Sequence, residues 1–154
     1  MRGRVGSERS IPAMGITLLR AIAGFVFFMH GWQKLVDIGI DGTEIYFEML
    51  GIPLPELAAV VVTLVELVGG AALIVGVLTR IAAALLAIDM LVATLVVTLE
   101  NGFFVTNNGF ELTLLLLAIM AALMMTGPGA YAGDNLFLQR SRTIGGGARR
   151  RGLR

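Results

Sequence analysis

The stretch that decides the fold is AMGITLLRAIAGFVFFMHGWQKLV, residues 13–36. It is apolar for longer than the roughly 20 residues a helix needs to cross a bilayer. A basic start, MRGRVGSERSIP, precedes it, as in a secretory signal. The run is too long for the apolar core of a signal, however, and it carries Arg20. It also ends in His30, Gln33 and Lys34, not in a small-residue cleavage site. We read it as a retained first transmembrane helix whose far end is polar.

Three more windows of spanning length follow, at about residues 57–78, 81–99 and 110–127. The chain is 56% hydrophobic with mean hydropathy +0.85. A soluble core would need polar helix faces, and these windows have almost none. The expectation is an all-α, polytopic membrane protein: one domain over residues 13–134, built as an antiparallel bundle of four transmembrane helices. Residues 1–12 precede it and a basic tail, 135–154, follows. In the first loop, TEIYFEMLG predicts a short helix capped by Thr43, lying in the membrane interface with its aromatics at headgroup level. A turn at Thr79–Arg80 makes helices two and three antiparallel neighbours.

Charge sets the orientation. Of 12 Lys and Arg residues, all but Arg20 and Lys34 fall on the side shared by the two termini. The first loop on the other side holds Asp37, Asp41, Glu44, Glu48 and Glu56. The positive-inside rule then predicts an inner (plasma) membrane protein with both termini cytoplasmic. The Arg-rich tail suits anionic lipid headgroups; nucleic-acid binding is not expected of so short a tail tied to a membrane anchor.

There is no Cys and only one His. Thiol chemistry by this chain is excluded, and a metal or haem site within one subunit is not expected. Small residues supply packing: Gly24 and Gly31 on helix one, Gly69 and Gly70 on helix two.

Ionisable groups in hydrocarbon cost roughly 2.5–3.5 kcal/mol each at a helix centre, so they should face inward and find partners. Depth suggests Arg20 with Asp89 as a structural ion pair, and Lys34 with Glu111. Glu66 is then an acid without a permanent cation, near His30, whose type titrates close to neutrality. Arg20, His30 and Lys34 fall within roughly 80° of one another on helix one. Gln33 lies further round. The candidate polar cluster is therefore His30, Gln33, Lys34, Glu66 and Glu111. It either locks the bundle or lines a small polar cavity with walls that include Phe25, Phe27 or Phe28.

Arg20 and Gly24, HGWQKL (30–35), GIPLPELA (51–58), VELVGGAALIVGVLTR (65–80) and GPGAYAGD (127–134) resemble the DoxX family of small membrane proteins. The resemblance implies a subunit of a membrane oxidoreductase system, linked to quinone or to redox stress and acting with partner proteins. It makes Gln33, Lys34 and Glu66 motif residues, and Gly31, Gly69 and Gly70 packing positions. The expected function is thus an anchoring subunit with a quinone headgroup site and no covalently bound cofactor. The rivals are a non-redox scaffold and a small proton-coupled transporter, which would need homo-oligomers to form a path. An autonomous enzyme is not expected, for want of a nucleophile–base pair.

Overall fold

The structure, a computed structural model, describes residues 10–134; the flanks 1–9 and 135–154 lie outside the described residues. The described chain is helical. Helix α1 spans Ser10–Trp32 and runs on as a π-helical segment, Gln33–Asp37. α2 is Gly39–Met49 and α3 is Pro55–Val75. α4, Thr79–Val92, continues through a second π-helical segment, Ala93–Thr98, and a 3-10 turn to Asn101. α5 is Glu111–Thr126. Three of these helices are long and apolar enough to cross a membrane; α5 is apolar but has 16 residues.

Large apolar side chains cover the outside. Leu18, Val68 and Ile88 are each 60% exposed or more. Water would not tolerate so continuous an apolar surface, but hydrocarbon does. Inside, Phe27, Leu73, Leu86, Met120 and Leu123 form the core between α1, α3, α4 and α5.

Glycine decides which helices meet. A Cβ on Gly70 would lie 2.5 Å from the Phe28 nitrogen, and one on Gly31 would lie 2.6 Å from the Leu67 nitrogen. The α1 and α3 backbones therefore touch, and this is the most extensive helix contact in the fold. Gly69 opens the other face of α3 to the Leu86 side chain of α4. α4 packs on α5, while α1 scarcely meets α4.

Two local expectations need correction. The Thr43 hydroxyl donates to the Gly39 carbonyl, so α2 starts earlier and Thr43 lies inside it, not at its cap. The α3–α4 turn is centred on Gly76–Leu78, because Gly76 (φ 77°) adopts the left-handed conformation that ends α3.

That turn is held by the segment after α5. The Asp134 carboxylate accepts from Leu78 N at 2.7 Å and Thr79 N at 3.1 Å, capping α4 from a distant part of the chain. Asp134 N donates to the Gly76 carbonyl. On α1, Thr17 Oγ1 accepts from Ala130 N at 3.1 Å. Residues 127–134 thus form a clasp across α1 and the α3–α4 turn.

Candidate functional site

The α1–α3 glycine contact sets up the site. Gly31 seats against Leu67, and one turn beyond Gly31 the π segment carries Lys34 to the neighbour of Leu67. Lys34 Nζ donates to Glu66 Oε2 at 2.7 Å; the two side chains are 19% and 5% exposed. It is the one ion pair among the described residues. A bond this short between charged groups in a poorly solvated site is strong.

The pair stands on the wall of a cavity of about 280 Å³. His30 and Asp89 also line it, with Thr98 and Thr113 from α4 and α5. The rest of the wall is apolar, including Phe47, Ile52, Met90 and Leu116, and α2 covers it with Tyr46 and Phe47. Asp89 lines the same cavity as Glu66 and Lys34. Its Oδ2 is buried and has no hydrogen-bond partner among the described residues. Two carboxyl groups and one ammonium thus share the site, with acceptor capacity left over.

Both π segments border this cavity: Lys34 belongs to the first, Ala93, Val97 and Thr98 to the second. Such local widening is common where a helix is shaped for a site. Thr94 Oγ1 bonds Met90 O at 2.7 Å and Thr113 Oγ1 at 2.8 Å, fixing the second segment to α5.

The expected pairings are corrected. Arg20 and Asp89 form no ion pair. α1 starts about ten residues before the level of the α3–α4 turn, so Arg20 sits at that turn, while Asp89 lies about 15 Å further along α4 at 1.5 Å per residue. Arg20 is 2% exposed and Nη2 donates to the Tyr131 carbonyl at 2.8 Å. Gly76 leaves room for its guanidinium, and Nε and Nη1 meet no acceptor among the described residues. Glu111 does not meet Lys34; its Oε2 accepts from Val105 N at 3.0 Å, tying the loop before α5. Gln33 is exposed and lines an outer groove with Phe25 and Met29, so it stays out of the cavity. Phe27 is core, and Phe28 stacks on Trp32 with ring centroids 6.3 Å apart. Of the predicted cluster, the structure brings together His30, Lys34 and Glu66.

The site residues missed from the sequence are Asp89, Thr98 and Thr113. An acid in mid-helix was a visible signal; its assignment to Arg20 concealed it. Threonines four apart at 94 and 98 were a weaker one. Among the described residues, no group of three or more His, Cys, Asp or Glu side chains is placed to hold a metal.

Comparison with known proteins identifies the family. A DoxX family model matches residues 15–99. CatD of Bacillus subtilis (strain 168), whose name proposes an oxidoreductase, is 38% identical over 71% of this chain and 78% of its own. The uncharacterized membrane protein Rv3486 of Mycobacterium tuberculosis is 32% identical over 84% of this chain and 85% of its own. The inner membrane protein YqjF of Escherichia coli is 30% identical over 83% of this chain and 95% of its own. No solved structure matches. With its membrane-length helices, its lipid-suited exterior and these relatives, the chain is a membrane protein belonging to the DoxX family.

Proposed function

We propose that this protein is an integral subunit of a quinone-linked or redox-stress oxidoreductase system, and that its cavity takes a quinone headgroup. Four helices cross the bilayer in an antiparallel bundle, α2 lies in the outer interface, and both termini are cytoplasmic. The charge asymmetry of the sequence supports that orientation. Soluble or membrane partners carry the electron transfer, with this chain as their anchor.

The observation that carries the reading is the Lys34–Glu66 pair at the wall of an otherwise apolar cavity of about 280 Å³. Ligand sites have mostly apolar walls and a few placed polar groups, with volumes of about 300–1,000 Å³. This cavity is at the lower limit, suited to one ring. A quinone ring needs hydrogen-bonding groups near its carbonyls. Lys34 gives one N–H to Glu66 and keeps two. His30, Thr98 and Thr113 add further polar groups, and Phe47, Met90 and Leu116 flank the ring. When bound, a quinone supplies two-electron, two-proton redox chemistry. The name of CatD supports an oxidoreductase setting.

The test is mass spectrometry of protein extracted gently from its native membrane, beside Glu66→Gln and Lys34→Met variants. A quinone in the native sample, lost from both variants, is expected. Partner proteins retained in all three samples with no quinone in any would make the chain a scaffold and the ion pair structural.

A further inference from the structure

A further depression lies on the outward face of α3 and α4, a groove of about 220 Å³ lined by Val61, Val65, Leu85 and Ile88. Val62, Asp89 and Val92 line both this groove and the inner cavity. Groove and cavity are therefore the two sides of one thin wall, made of two valines and an aspartate. The buried, partnerless Oδ2 of Asp89 is in that wall. The second π segment begins at Ala93, one residue past Val92, so the wall sits where the regular hydrogen bonding of α4 gives way. The opposite side is different. Between α1 and α3 the glycine contacts bring backbone against backbone, and the outer groove of α1 shares only His30 with the cavity.

We infer that the cavity is entered from the bilayer between α3 and α4, and that its ligand is a polar ring bearing an apolar tail. Asp89 holds the ring inside, and the tail lies in the groove outside. The inference rests on the quinone reading for the identity of the ring, but not for the entrance. The cavity has room for a ring and none for a long chain. The groove continues it with side chains that match an alkyl or isoprenoid tail. A ligand dissolved in water would instead have to pass α2, whose Tyr46 and Phe47 line the cavity.

Two probes test it on the full-length protein in proteoliposomes. Dicyclohexylcarbodiimide partitions into the bilayer and modifies carboxyl groups reached from it; a water-soluble carbodiimide is the control. Modification of Asp89, mapped by peptide mass spectrometry, should come from the lipid-borne reagent. It should fall several-fold in Leu85→Trp and Val92→Trp. Leu85 is 47% exposed, so a larger side chain there leaves the core intact. Binding of decylubiquinone should weaken about tenfold in the same variants, roughly the burial of two methylenes. A tail-less ubiquinone head should change less than about twofold. No labelling of Asp89 from the bilayer, or equal labelling by the soluble reagent in all variants, overturns the entrance. Labelling that follows the groove variants while neither quinone binds sustains the entrance and removes the quinone. Quinones that bind alike with or without a tail, indifferent to both tryptophans, keep the quinone and remove the groove.

Discussion

Helix α1 and its π-helical continuation carry two cations about 20 Å apart, Arg20 buried and Lys34 partly buried. Their surroundings are opposites. Arg20 is packed solid, with a glycine for a neighbour and a backbone carbonyl for a partner. Lys34 meets a carboxylate, and next to that pair the chain leaves open space and a second acid without a partner. An intramembrane charge alone therefore does not mark a site. Nor does unused hydrogen-bonding capacity, since Arg20 Nε and Nη1 also lack an acceptor among the described residues; open volume beside the charge does.

The contrast can be broken from the packed end first. Gly76→Val adds a side chain where φ is 77° and where a Cβ would run into the Arg20 guanidinium. We expect a loss of about 4 kcal/mol, enough to remove monodisperse protein from detergent extracts. At the open end, Glu66→Leu strands a lysine and should cost about 2 kcal/mol in a denaturant titration. Lys34→Met with Glu66→Leu should recover most of that stability while ligand binding stays lost. Full recovery of binding would show that the pair only holds helices together. Asp134→Ala removes the acceptor of the Leu78 and Thr79 N–H groups at the start of α4 and should lower stability by about 1.5 kcal/mol, without altering the cavity. Asp89→Asn has no hydrogen bond at Oδ2 to lose and should change stability by less than about 0.5 kcal/mol. A large loss there would mean that Asp89 is structural after all.

Much of the fold was legible because hydrocarbon demands it. Helices α3 and α5, and α4 together with its continuation to Asn101, begin and end within a few residues of the apolar windows of the sequence. The packing glycines were also legible, since only small residues allow backbones to touch. The pairings were not. Equal depth within two apolar runs is not equal level in the bundle: α1 starts at Ser10, about ten residues before the level of the α3–α4 turn, so Arg20 lies at that turn and not beside Asp89. Lys34 was matched to Glu111 by depth, but the Gly31–Leu67 contact puts α3, and with it Glu66, nearest. The π segments left no trace in the hydrophobic pattern, because widening a turn by one residue does not change which residues are apolar.

The Arg20–Tyr131 bond joins residues 111 positions apart. At about 5–20 residues per second, a ribosome takes roughly 5–20 s to travel that distance. For that interval the first helix holds a charged guanidinium whose acceptor has not been made. Lys34 waits a shorter time for Glu66, 32 residues on. The nascent chain therefore completes the site before it completes the lock. A chain interrupted after α5 would carry its helices and its cavity while Arg20 still lacked the clasp, leaving a polar defect for membrane quality control to recognise.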